Sequence, residues 1–352
     1  EIARAIAGAL ALRMSGASDS VRARGRVDPE AYDLYLHALA LRSQLRPDAM
    51  RRASELLDRA IERQPDFALA WAAKASVVGP LVYFGQVPAQ QGLAVMRNAI
   101  DRAFVLDPGS GQAYTARGML QLFFEWDWAG AERSLREATV LSPNDPHAWH
   151  HLGNYLRATN HLDEAAAARL RGLALDPLDA RLQNSLGEEY LAAGRFTEAR
   201  VAFERGTQLD PLHPIQLGLG PSAPHGVWNV LLAQGREADA EAELLRVAAL
   251  RGARADEVQA LRAAYARAGM RGFWRRWLVM DERQSNGHPD SMRIATLSAL
   301  AGDSTRALDI LERLFASRSS GIVFLRSEPS LAGLRTHPRF IRIVEGMHFP
   351  AR

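Results

Sequence analysis

Residues 180–211, ARLQNSLGEEYLAAGRFTEARVAFERGTQLDP, read as two helices followed by a stop. Leu186, Gly187 and Tyr190 mark the first helix, and Ala199, Phe203 and Gly206 mark the second. Pro211 ends the second helix, because proline has no N–H and disfavours α geometry in the residue before it. The same arrangement recurs upstream. Pro143, Pro177 and Pro211 stand 34 residues apart, in TVLSPND, LALDPLD and TQLDPLH. Twelve positions before them stand Ala131, Ala165 and Ala199. Eight before stand Leu135, Arg169 and Phe203, and five before stand Ala138, Gly172 and Gly206. Pro65 repeats the offsets with Ala53, Leu57 and Ala60. Pro108 does so with Met96, Ile100 and Ala103, after an insertion in the Pro- and Gln-rich loop around Val87 to Gly92.

The first half of each unit is equally regular, with Trp149, Leu152 and Gly153 in one and Gln183, Leu186 and Gly187 in the next. Gly118 holds the glycine place in the unit before. Antiparallel helices approach closely only where side chains are small, so each glycine is expected to meet the alanine of the companion helix. A fixed period of this length is the mark of a repeat array. The fold class expected is all-α, a right-handed α-solenoid of about eight antiparallel hairpins.

The residues resemble the tetratricopeptide pattern, with Leu186, Gly187, Tyr190, Ala199, Phe203 and Pro211 matching it. Gln183 departs from its aromatic place and Gly206 from its last alanine. Three segments carry a narrower likeness: PEAYDLYLHALAL (29–41), FFEWDWAGAERSLREA (123–138) and SSGIVFLRSEPSLAGLRTHPRF (319–340). They look like the C-terminal repeat region of bacterial multidomain regulators. There the repeats follow a TolB-like segment joined to an adenylate cyclase, a protein kinase or a winged-helix DNA-binding domain. The resemblance implies a regulatory or scaffolding role and brings no catalytic residues.

Residues 1–27 are read as an N-terminal helix and linker, a remnant of that TolB-like domain. Residues 28–213 form the regular array, and 214–352 form degenerate hairpins with a C-terminal cap. Within the latter, GREADAEAELL is a second helix, and Ala307 and Leu311 hold the alanine and phenylalanine places of a further unit. Pro214 to Gly226 cannot be one continuous helix and marks a break. Because the chain starts on Glu1 without methionine, it is expected to be a piece of a longer polypeptide.

The 352 residues hold 43 basic and 40 acidic side chains, a net charge of +3. Lys74 is the only lysine. The charges are interleaved, which argues against a nucleic-acid partner. No cysteine is present, which removes disulfides, thiolate metal sites and a cysteine nucleophile. Its absence fits the cytoplasm, with the periplasm left open. The longest uncharged stretch, Ala75 to Met96, is interrupted by Gly79, Pro80, Gly85, Pro88 and Gly92, so no membrane insertion is expected.

Catalytic motifs are missing: there is no phosphate loop, GxSxG, HExxH or GxGxxG. His147 and His151 lie four apart, yet no carboxylate shares ligand spacing with them, so neither metal nor cofactor is expected. Trp126 and Trp128 are read as core, with Asp127 capping the following helix. Phe273, Trp274 and Trp277 are read as one buried face. Glu188 and Glu189 point about 100° apart on a helix and are poor partners for acid–base work.

The functional expectation is geometric. If Trp149 and Gly153 face the companion helix, then His147, His150, Asn154 and Arg157 look elsewhere, and so do Arg181, Asn184 and Glu188 in the next unit. Gln112, Thr115 and Met119 hold those places in the unit before. In the tetratricopeptide family these places line the concave groove. The reading is a non-catalytic interaction module that binds a peptide, a protein or the upstream domain of its own polypeptide there. A small-molecule or carbohydrate sensor using the same groove is the alternative, followed by a helical-hairpin hydrolase or transferase.

Overall fold

The computed structural model describes residues 27–213, 225–284 and 291–350. Residues 1–26 and most of the Pro214–Gly226 break lie outside this range. All regular elements among the described residues are helical. In chain order they are α1 (Pro29–Arg42), α2 (Pro47–Arg63), α3 (Ala68–Tyr83), α4 (Ala89–Leu106), α5 (Gly111–Leu120) and α6 (Trp128–Leu141). Then come α7 (Pro146–Ala158), α8 (Leu162–Leu175), α9 (Ala180–Ala192), α10 (Phe196–Leu209), α11 (Val227–Ala233) and α12 (Glu237–Leu250). The last are α13 (Ala255–Gln284), α14 (Met292–Leu300), α15 (Ser304–Ala316) and α16 (Pro338–Gly346). Three 3-10 turns, Ser320–Ile322, Leu325–Ser327 and Pro329–Leu334, join the last two.

The prolines do what their chemistry requires. Helices α2, α4, α6, α8 and α10 end at Arg63, Leu106, Leu141, Leu175 and Leu209, each two residues before Pro65, Pro108, Pro143, Pro177 or Pro211. At the opposite end, Pro29, Pro47 and Pro338 sit where a helix has no use for the N–H. Asp28, Ser110, Asp127, Asp179 and Asp303 cap helix starts with side-chain oxygens. Helix α4 begins at Ala89, so the insertion before it is shorter than the loop expected around Val87–Gly92.

The chain divides into two compact units. One comprises the residues up to Tyr155 together with Leu170–Pro177. The other comprises Leu156–Arg169 and the chain from Leu178 onward. In the first, α1 pairs with α2, α3 with α4 and α5 with α6. In the second, α9 pairs with α10, α11 with α12 and α14 with α15. Each unit is thus a stack of antiparallel hairpins, an α-solenoid arrangement. The repeat offsets are its core: Ala53, Leu57, Ala60, Met96, Ala103, Ala131, Leu135 and Ala138 are all buried. So are Ala199, Phe203, Ala240, Leu244, Ala307 and Leu311 in the second unit.

One packing expectation needs correcting. The repeat glycine meets the residue eight before the proline, not the alanine twelve before it. A Cβ added to Gly187 would stand 2.7 Å from the Phe203 ring. At Gly118 it would stand 2.5 Å from Leu135 Cγ. The large side chain lies across the glycine, and the buried alanine lets the helices close beside it.

A second device stops the first helix of a hairpin. Gly194 (φ 75°), Gly235 (φ 73°) and Gly302 (φ 83°) adopt left-handed backbone directly after α9, α11 and α14. Each is followed by the same long hydrogen bond, Arg195 N to Tyr190 O (2.8 Å), Arg236 N to Leu231 O (2.9 Å) and Asp303 N to Ser298 O (2.9 Å). Asn160 (φ 67°) takes that place after α7. Trp126 (φ 54°) does so after the single π turn Gln121–Glu125.

Trp126 and Trp128 are buried, and the Asp127 carboxylate accepts from Gly130 N at 2.9 Å, as the sequence suggests. Phe273, Trp274 and Trp277 are likewise buried on α13, where Trp274 packs on Trp228 with ring centroids 5.0 Å apart. Non-helical angles at Ala268 and Gly269 break α13. No described helix is long and apolar enough to cross a membrane.

Candidate functional site

The positions expected to line a groove fall in both units. In the first, Thr115 is 1% exposed and its hydroxyl donates back to Gly111 O at 3.0 Å. His147, His150 and His151 are buried together, with centroids 4.5 Å apart for His147–His151 and 4.9 Å for His150–His151. Asn154 Nδ2 lies 3.3 Å from both His150 Nε2 and His151 Nδ1. Gln112 is engaged by Tyr35, whose hydroxyl lies 3.3 Å from the Gln112 amide nitrogen. Burial pushes the Tyr35 phenol up to about 12. These are packed, paired side chains and not an open surface.

The second unit holds Arg157, Arg181, Asn184 and Glu188. Arg181 folds back on the cap of its own helix, with Nη2 2.9 Å from Asp179 Oδ2. Asn184 is 1% exposed and covers Gly206 of α10, where an added Cβ would stand 2.9 Å from the Asn184 amide carbon. Glycine at the last alanine place of the repeat therefore makes room for this amide. Arg157 and Glu188 are the two expected residues that the fold brings into an ion pair. Both are buried, at 5% and 8% exposed.

Three residues that the sequence reading did not single out complete the cluster. His225, just before α11, places Nδ1 2.6 Å from Glu188 Oε1 and Nε2 3.2 Å from Glu328 Oε2. Glu328 also caps the last 3-10 turn, its Oε1 accepting from Ser330 N at 3.1 Å. The Arg157 guanidinium lies 4.7 Å from the centre of the Phe324 ring, a cation–π contact. Burial alone would lower the His225 imidazole, but the carboxylates of Glu328 and Glu188 hold it up at about 10. Burial would raise Glu188, but Arg157 and His225 draw it down to about 2. Glu328 is lowered by His225 against the same burial effect.

Glu189 turns away from this cluster, as its sequence neighbour Glu188 requires. It meets Arg169 of α8 in a fully buried pair, with Arg169 Nη2 2.9 Å and Nε 3.1 Å from Glu189 Oε1. Burial pushes the Glu189 carboxyl up and Arg169 pulls it back. Arg169 was visible in the sequence as the one charged residue among Leu135, Arg169 and Phe203. His225 and Glu328 carry no such mark, since they stand in loops outside the repeat.

Residues 180–211 match the family model for the tetratricopeptide repeat. The chain carries a tetratricopeptide repeat over these residues. No curated protein matches the chain. Among solved structures, a human IFIT1 dimer with m7Gppp-AAAA is similar at 15% identity and a TM-score of 0.53, over 84% of this chain and 68% of that one. PilW, a type IV pilus biogenesis factor, is similar at 18% identity and a TM-score of 0.45, over 62% of this chain and 94% of that one. YrrB, a tetratricopeptide-repeat protein with an unusual peptide-binding site, is similar at 19% identity and a TM-score of 0.33, over 57% of this chain and 96% of that one. At these identities the likeness concerns the fold. Tetratricopeptide scaffolds serve as protein-interaction modules.

Proposed function

We propose that the protein is a non-catalytic interaction module whose second unit holds an extended peptide or protein segment on the polar side of its repeat helices. The observation that carries this reading is the cluster at Arg157 and Glu188. The two residues stand at the places the repeat assigns to a groove, and a stretch of short 3-10 turns already lies against the cluster, with Phe324 on Arg157 and Glu328 on His225. Aromatic and acidic side chains on a cationic face are a common way of reading a peptide. A net charge of +3 spread among interleaved charges favours such a partner over a polyanion.

In this reading the partner is a segment of another regulator or of the polypeptide to which these repeats belong. The likeness to the repeat regions of TolB-like regulators supports that choice. The His147–His150–His151–Asn154 cluster serves the packing of its own unit and holds no metal. A photo-crosslinking amino acid in place of Arg181, introduced into the protein in its native cell, tests the proposal. Linked peptides from one defined protein segment, recovered by mass spectrometry, are the expected result. Linkage to nucleic acid, or no defined protein adduct, would overturn it.

A further inference from the structure

We propose that the stretch Phe324–Glu328 is a tethered stand-in for the partner, and that the partner is a peptide with an aromatic residue four positions before an acidic one, the two brought together by a single 3-10 turn. The inference rests on the interaction-module reading and specifies its ligand and its regulation.

The C-terminal stretch has two kinds of residue. Ile322, Val323, Leu325 and Leu331 are fully buried, and the turns that carry Ile322 and Leu331 pack on α15 and α14 respectively. These buried side chains keep the segment tethered, without keeping it rigid, when its contacts at the cluster are lost. Phe324 and Glu328 turn the other way, toward Arg157 and His225. Each also sits at a junction, Phe324 heading the turn Leu325–Ser327 and Glu328 heading Pro329–Leu334. Their side chains can exchange for another ligand without dismantling the anchors.

Charge says what the ligand must bring. Without Glu328 the cluster holds Arg157, protonated His225 and Glu188, one positive charge in excess at a buried place. Whatever lies there has to bring a carboxylate. Glu328 divides its oxygens between two tasks, Oε1 capping Ser330 and Oε2 pairing with His225. A partner's acid can take the His225 bond while Oε1 keeps the turn capped.

The stand-in is also an incomplete ligand. Arg157 Nη1 donates to Glu188, but Arg157 Nε is buried with no acceptor among the described residues. A buried donor left unpaired favours any ligand that supplies the missing oxygen. A peptide whose carbonyl or acid reached Nε would outcompete the chain's own residues despite the advantage of the tether.

The test uses the full chain and a fluorescent peptide of the sequence SSGIVFLRSEPSLAGL, residues 319–334 of the protein. Anisotropy titrations compare the wild type with Phe324→Ala and with Glu328→Gln, the second nearly isosteric in case the first loosens the fold. Weak binding to the wild type is expected, with at least about tenfold tighter binding to either variant, in keeping with loss of an intramolecular competitor. The same peptide carrying Phe324→Ala and Glu328→Gln should bind no form. Equal affinity for wild type and both folded variants would overturn the proposal, as would indifference to the peptide's own Phe and Glu. A crosslinked partner that binds wild type and Phe324→Ala equally would leave the interaction module standing and remove the stand-in.

Discussion

His225 Nδ1 stands 2.6 Å from Glu188 Oε1, and both side chains are buried. The pair joins a residue outside the repeat to a residue inside it, and it has a consequence for stability. His225 is held above its ordinary value of 6.5, at about 10. Its contribution is complete below pH 6.5 and is lost as pH rises through about 10. Glu188 is held below 4.5, at about 2, so its contribution is present above pH 4.5 and is lost as pH falls through about 2. Arg157 stays charged throughout, and Glu328, lowered by His225, follows Glu188. Thermal melts should therefore show a plateau between about pH 4.5 and 6.5 and a decline on both sides. His225→Gln should lower the plateau and flatten the alkaline decline. An unchanged alkaline limb in that variant would mean that His225 is not charged in the folded state.

Arg169, paired with Glu189, stands where neighbouring repeats place Leu135 and Phe203. Removing one partner leaves an uncompensated polar group in the core. Arg169→Leu or Glu189→Leu alone should cost about 3–5 kcal/mol. The double variant restores the apolar layer seen elsewhere and should lie close to the wild type or above it. Denaturant midpoints for the three variants check this. Additive losses in the double variant would contradict it.

Two glycines of one hairpin are required for different reasons. Gly187 is short of space, its added Cβ falling 2.7 Å from Phe203, whereas Gly194 has nothing within 4 Å but a φ of +75°. Gly187→Val should destabilise by about 1–3 kcal/mol through overpacking. Gly194→Ala should cost about 1 kcal/mol through backbone strain. Phe203→Leu should recover part of the first loss and none of the second. Equal rescue of both would show that the distinction is wrong.

The fold was legible because its determinants are local and periodic. Pro143, Pro177 and Pro211 mark helix ends by removing a donor, and the alanines before them mark closest approach. The glycine contact was misassigned because a 3.6-residue period places both Ala199 and Phe203 on the inner face of α10. Which of them crosses Gly187 is decided by the tertiary packing, which sets Phe203 there. The left-handed residues Gly194, Gly235 and Gly302 stand in AAGR, AQGR and LAGD, where glycine is itself the local signal for a helix stop.

The candidate site was half legible. Arg157 and Glu188 could be inferred from repeat position. Burial of Thr115, Asn154 and Asn184 could not, since it depends on what packs over them. His225 and Glu328 are 103 residues apart and join Glu188 through tertiary structure alone.

The most direct test of the account is hydrogen exchange of the backbone amides from Val323 to Leu331 in the full chain. The central claim is that Arg157, Glu188 and His225 hold this segment of 3-10 turns. In the wild type these amides should be protected. In Glu188→Gln and His225→Gln they should exchange at least about tenfold faster, while the amides of α14 and α15 keep their rates. Unchanged exchange from Val323 to Leu331 in both variants would contradict the claim, because the segment would then be held by its apolar anchors alone.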